Sequence, residues 1–277
     1  MTIEGPVDAN GEPTLVISGD AAGDDTLEPE GMTDLDATPD RALDDNTRIF
    51  TFVNANATVS NLKLTGGRVF SEDAGGGVVF PGEGGAIFAE GRVTIDNSIL
   101  AGNSAAGGGL GGAVHVIPDA TQNGDFASTF NPGVLTVSDS IVRNNAVTAE
   151  GNNEVISETQ SGGALSAGTL TGGNSYIVLE NSEVRDNLAS GEDAFGGGIY
   201  GLVAEIDVRD SVVRDNRVFG TDNVEPPALE GIATGGGGIG ATRSFVTVER
   251  SGIYDNFANG FGGGIGVLGA LGGGGGA

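Results

Sequence analysis

Three arginines stand in one column of a short repeat, with polar or acidic residues beside them. Arg143, Arg185 and Arg214 hold the same place in "SIVRNNAV", "SEVRDNLA" and "SVVRDNRV", and Tyr254 takes that place in "SGIYDNFA". The next position reads Asn144, Asp186, Asp215 and Asp255. Guanidinium and carboxylate groups in register are the raw material of a carbohydrate-binding or catalytic strip, and Asp210 adds a further carboxylate just before Ser211. Glycosidic hydrolysis needs two carboxyl groups about 5–9.5 Å apart, a distance that acids on neighbouring repeats reach in any acidic repeat protein. The plainer account is a solvated ladder in which each Arg neutralises the adjacent acid. Exposed pairs of this kind contribute little but keep like charges from stacking, and this account is the favoured one.

Other candidates are weaker. Asp20, Asp24 and Asp25 have a spacing that would wrap a calcium ion. They lack the ligand order of an EF-hand and the nonapeptide of calcium-binding β-rolls, so a solvated loop is the favoured reading. His115 is the sole histidine; it alternates with Val114 and Val116 after "GGAV" and is expected to point outward. The run "GGGGIG" at 235–240 precedes a strand pattern rather than a helix, so it is not read as a phosphate loop.

The elements that position these residues are written as repeats. Ser98, Ser140, Ser182, Ser211 and Ser251 each stand five residues before Asn103, Asn145, Asn187, Asn216 and Asn256. An apolar anchor precedes each serine: Ile95, Val137, Leu179, Val208 and Val248, with an earlier echo at Val59 and Leu64. Anchor intervals from Val59 onward are 36, 42, 42, 29 and 40 residues. Alternating runs such as "VLTVS" and "YIVLE" read as strands, and no helical period occurs. Short constant strands at variable spacing fit a solenoid with insertions at its corners, the long ones falling at 116–134, 148–161 and 217–235. The expected fold is an all-β, right-handed parallel β-helix of about six or seven coils. It spans 1–277 as one domain, with an acidic loop over 18–46 and a glycine-rich end over 266–277. Like residues then stack at about 4.8 Å. The compact interval from Leu179 to Val208 leaves room for three strands and three turns. The asparagines form a buried structural ladder at one turn, aided by Asn's tolerance of left-handed backbone, and the paired glycines supply tight turns.

"GGAI" at 84–87, "GGAV" at 111–114 and "GGAL" at 162–165, with "LAGN", "VRNN", "VRDN" and "IYDN", resemble the GGA(I/L/V) and FxxN repeats of polymorphic outer-membrane proteins and related secreted β-helix proteins. Here an aliphatic residue replaces the Phe. The resemblance covers about residues 47–266. It implies a surface or extracellular module: a stalk, adhesin or glycan-contacting solenoid. The same fold also hosts polysaccharide lyases, in which clustered Asp holds calcium and an Arg serves as base. For that alternative Arg185, Asp186, Asp210, Arg214 and Asp215 supply the residue types. The expected partners are a polysaccharide or cell-surface glycan and, through open solenoid ends, a second copy of the chain.

Composition narrows the rest. The 277 residues include 52 glycines and no cysteine or tryptophan, so disulfides and thiolate metal sites are excluded. No apolar run is long enough to span a membrane as a helix, and the first residues are not read as a signal peptide. The formal charge of −26, from 38 acids against 12 bases, repels nucleic acid and anionic membranes. Acids spread along the whole chain suit a salt-rich habitat better than local cation binding. Self-repulsion weakens as the Debye length falls from about 10 Å at 0.1 M to about 3 Å at 1 M salt. The melting temperature is therefore expected to rise between 0.1 and 2 M NaCl or KCl in calorimetric scans, as estimated from this screening; a flat or falling curve refutes a salt-adapted surface.

Overall fold

The computed structural model describes residues 1–20, 47–70, 72–73, 79–80, 82–106, 109–120, 130–148, 162–169, 174–191, 194–220 and 234–269. No helix occurs among them, and the long sheets are parallel: the chain is an all-β solenoid. The apolar anchors align across neighbouring strands in the order Val59, Ile95, Val137, Leu179, Val208 and Val248. A second ladder aligns Ile17, Leu64, Leu100, Val142, Val184, Val213 and Ile253. Ala105, Val147, Ala189, Val218 and Ala258 make a third. A fourth runs through Ile87, Val114, Leu165, Ile199, Ile239 and Ile265. Anchors from Val59 to Val208 are 0% exposed, whereas Val248 and Ile265 in the last coil reach 38%. Full burial of such a side chain stabilises the fold by about 1.5–3 kcal/mol, so the stack holds itself together and thins at its end.

The coil has four strand segments rather than the three expected. Between Ser182 and Ser211 lie Glu183–Arg185, Leu188–Gly191, Ile199–Leu202 and Ala204–Arg209. Early strands show why. Phe50–Ser60 and Ile87–Asp96 each run through the first and fourth ladders as one bent strand. The bend falls at a register shift between Phe52 and Ala55, and opposite it at Gly91, whose φ is +113°. A Cβ on Gly91 would stand 2.7 Å from the Ala55 carbonyl oxygen, so only glycine fits. Later coils break the strand at this same corner, with a long insertion between Val114–Ile117 and Gly133–Ser138 and only Val203 between Ile199–Leu202 and Ala204–Arg209.

The two constant corners divide their chemistry between adjacent residues. Left-handed backbone is taken not by the ladder asparagines but by the residues before them: Asn144, Asp186, Asp215 and Asp255, with φ of 52, 54, 56 and 54°. This corrects the expectation from sequence. Asn and Asp accept that conformation most readily, which frees the next asparagine to point inward. From Asn145 onward each ladder Asn then accepts two bonds at one oxygen. Asn187 Oδ1 receives the backbone N–H of Asn145 at 3.0 Å and the Asn145 Nδ2 at 3.0 Å. Its own Nδ2 donates to Asn216 Oδ1 at 2.9 Å and to the Val142 carbonyl at 3.1 Å. At the other corner Asn97, Asp139, Asn181 and Asp210 carry the positive φ. There Ser140 Oγ accepts the Ser98 N–H at 3.0 Å and donates to the Ser138 carbonyl at 2.6 Å, and the pattern continues to Ser251.

The amide column gives a direct comparison. Asn187→Ala removes the acceptor for two buried donors and is expected to cost about 1–3 kcal/mol. Asp215→Asn, on the outward residue of the equivalent turn, keeps the left-handed tolerance and is expected to cost less than about 0.5 kcal/mol. Equal losses in urea or thermal melts would show that the assignment of inside and outside is wrong.

Candidate functional site

The Arg and Asp strip occupies the outer side of one corner. Arg185 donates to the Asp186 carboxylate and lies 3.4 Å from Glu183 Oε2. Arg214 donates to Asp215 and, through Nε, to Glu183 Oε1 at 2.8 Å. Asp215 first and Glu183 second hold the Arg214 guanidinium above its ordinary value. A general base needs the opposite shift, so Arg214 is poorly placed to remove a proton. Asp210 lies at the other end of the strand Val212–Arg214, where Arg250 grips it with Nε–Oδ1 and Nη2–Oδ2 distances of 2.7 Å. That hydrogen-bonded pair lowers the Asp210 carboxyl below the usual range. Carboxylates already engaged by guanidinium groups do not make a calcium cradle, because a bound cation would have to displace the Arg. No three potential ligands cluster for a metal among the described residues. Asp20 follows the strand Leu15–Ser18 and donates its backbone N–H to Ser18 Oγ at 3.1 Å. Asp24, Asp25 and most of the long insertions lie outside the described residues.

His115 departs from expectation. It is 1% exposed rather than outward and solvated. The outer side of the fourth ladder is covered by the segment that leads into each paired glycine. A column runs there through Phe88, His115, Ser166, Tyr200, Gly240 and Gly266. Residues just before the glycines pack over it. Phe195 lies edge-on to Phe261 with centroids 5.5 Å apart, and tilted against Tyr200 at 6.3 Å. A Cβ on Gly240 would come 2.6 Å from the Gly196 backbone N and 3.1 Å from the Phe195 ring, so the absent side chain lets the covering segment approach closely. This second layer is a small core outside the first. His115 Nδ1 and Ser166 Oγ share a hydrogen bond of 2.7 Å, while Nε2 lacks a partner and faces Glu83 Oε2 at 3.9 Å. Burial foremost, then the Arg48 charge, depresses the imidazole to about 3. Ser166 is fully buried and His115 nearly so, while Glu83 is 22% exposed, so the hydroxyl and the imidazole face no solvent, as a structural hydrogen bond does.

A polar pocket of about 210 Å³ opens at the corner where the early strands bend. It is lined by Asn54, Asn56, Gly91, Arg92, Asp119 and Asn131, among others. The short antiparallel pair Asp119–Ala120 with Phe130–Asn131, at the base of the first long insertion, forms one wall. This pocket lies at a different corner from Arg185 and Arg214 and nearer the N-terminal coils.

No family model matches the chain, and no curated protein or solved structure is significantly similar to it. The site is therefore read from its own geometry. Sequence reasoning missed Glu183, Glu83, Ser166 and the Arg92–Asp119 pocket. One signal for the outer layer was present: the bulky residue before the glycines in "DAFGGGI" and "NGFGGGI", which has no function if that face is solvated.

Burial of neutral His115 sets a pH dependence. Its folded value lies below the unfolded 6.5, so its contribution is complete above that value and is lost as pH falls toward about 3. The slope is about 1.4 kcal/mol per pH unit. Carboxylates held low by their partners, such as Asp8 and Asp210, lose stability only further down. Chemical unfolding between about pH 6.5 and 4.5 is expected to show this slope in the native protein and a flatter one in His115→Gln. Parallel profiles would exclude a buried neutral imidazole.

Proposed function

We propose that the protein is a non-catalytic β-solenoid module of the surface-stalk or adhesin kind, extending end on end and meeting glycan along its side. One observation carries this reading. Every exposed large hydrophobic among the described residues lies at an end of the stack: from Met1, Leu15 and Val16 to Val53, and from Phe245 to Val267. Phe245 is 79% exposed and Val16 53%. The last strands, Phe245–Glu249 and Gly252–Tyr254, pair on one edge only, as do Thr2–Glu4 and Leu15–Ser18. Unpaired edges of this sort recruit further strands.

The internal registers say how a second copy would dock. Following the ladders from coil to coil, Ile3 takes the place above Val248, and Ile17 the place above Ile253. Such a join is heterologous and need not close. Glu4 would meet Glu249, a like-charge contact that salt screens. The GGA and xxxN resemblance to secreted repeat proteins supplies the extracellular setting. The calcium-dependent lyase reading is the weaker one, since Arg185, Arg214 and Asp210 are all occupied by partners within the chain.

Light scattering across a concentration series is expected to show mass growing with protein and with salt, and Val248→Glu is expected to abolish the growth while keeping the melting curve. A mass that stays monomeric at every concentration and salt overturns the stacking. Release of unsaturated sugars from acidic or neutral polysaccharides, with or without calcium, overturns the non-catalytic assignment.

A further inference from the structure

We infer that the pocket at the bent corner is a subsite for one neutral sugar ring. The inference deepens the glycan-contact part of the reading above and is independent of end stacking. Its lining is almost wholly hydrogen-bonding: the Asn54, Asn56 and Asn131 amides, the Arg92 guanidinium and the Asp119 carboxylate. Asp119 Oδ1 is buried without a hydrogen-bond partner. A carboxylate oxygen without a partner costs on the order of 1–3 kcal/mol, so a hydroxyl brought against this carboxylate from the pocket would be favoured. This contrasts with the charged corner strip, where Asp186, Asp210 and Asp215 each hold an arginine.

Charge narrows the ligand class. Arg92 in the wall opposes a metal cation, and Asp119 opposes a phosphate or sulfate. The net charge of −26 disfavours an anionic polymer approaching at all. What remains is a neutral molecule with many hydroxyls, each both donor and acceptor. A carboxylate that accepts from two neighbouring hydroxyls, with amides and a guanidinium donating to others, is a complement to a pyranose edge. The volume of about 210 Å³ equals roughly seven waters at about 30 Å³ each, room for one ring and not for a chain of them. The fold explains why a pocket forms at this corner. Asn54 at φ +49° and the register shift beside it turn the first strand outward. Gly91 brings the second strand close to Ala55, and the paired strands Asp119–Ala120 and Phe130–Asn131 supply Asp119 and Asn131 to the wall.

The test uses the full chain and the methyl glycosides of glucose, galactose and mannose, with glucuronate and galacturonate as charged probes. Titration followed by amide chemical shifts is expected to show saturable binding of at least one neutral glycoside, with shifts centred on Gly91, Arg92 and Asn131. Asp119→Ala and Arg92→Ala are each expected to weaken it by about tenfold, one lost charge-assisted bond apiece, with a melting temperature not lowered by Asp119→Ala. Asp186→Ala, on the charged strip, is expected to leave it unchanged. Preference for the uronates overturns the neutral-ligand assignment. Saturable binding with shifts elsewhere overturns this subsite and leaves glycan contact standing. No binding by any probe overturns the inference and leaves end stacking untouched. Equal affinity in both pocket variants and the native chain likewise overturns it.

Discussion

The structure depends on one repeated contact: a buried asparagine oxygen that accepts both the backbone and the side-chain N–H of the asparagine one coil earlier. The column passes from Asn103 through Asn145, Asn187 and Asn216 to Asn256, and it starts at Gly67, whose N–H reaches Asn103 Oδ1 at 2.9 Å. A buried turn leaves polar groups that water cannot reach. Here the groups of each coil are satisfied by its neighbour, so no coil is complete by itself. The apolar ladders add most of the attraction, but attraction alone does not fix register. The amide column does, because slipping a strand by one residue would strand several donors in an apolar interior.

Much of this was legible in the chain because a stacked ladder writes itself along the sequence. The constant five-residue step from Ser182 to Asn187 or from Ser211 to Asn216 fixed two corners and the strand between them. What the pattern concealed was backbone sign. Asp186 and Asp215 looked like solvated outward charges and are also the residues that take left-handed φ. His115 was misread because alternation separates two faces of a strand without saying what covers the outer one. At His115 the neighbours are Phe88, Ser166 and Glu83, and two coils on Phe195 packs over Tyr200. The pocket at Arg92 and Asp119 had no signature, since its parts come from three stretches joined only through strand pairing across long insertions.

The two charged regions show opposite uses of the same residue types. On the corner strip, Arg and Asp neighbours discharge one another, which lets an acidic protein stack like residues without self-repulsion. At the bent corner, Arg92 and Asp119 share a wall without pairing, and one carboxylate oxygen is left without a bond. Residue type carried no information about this difference; geometry did. A protein rich in acids is thus best searched for function at the acids its own arginines do not reach.

The side-chain columns have a direction. In the amide column the backbone N–H and one Nδ2–H of Asn103, Asn145, Asn187 and Asn216 point toward the later coil and each accepting Oδ1 toward the earlier one, while a second Nδ2 bond returns to a carbonyl of the earlier coil. The serine column runs the same way, from Ser98 N–H to Ser140 Oγ and onward to Ser251. Aligned bond dipoles add, so the rod is a vector with a donor end and an acceptor end. Two rods meeting at like ends would set donor against donor, and their strands would run against the parallel order of the long sheets. A contact whose local task is to satisfy a buried turn therefore also gives the whole molecule a head and a tail.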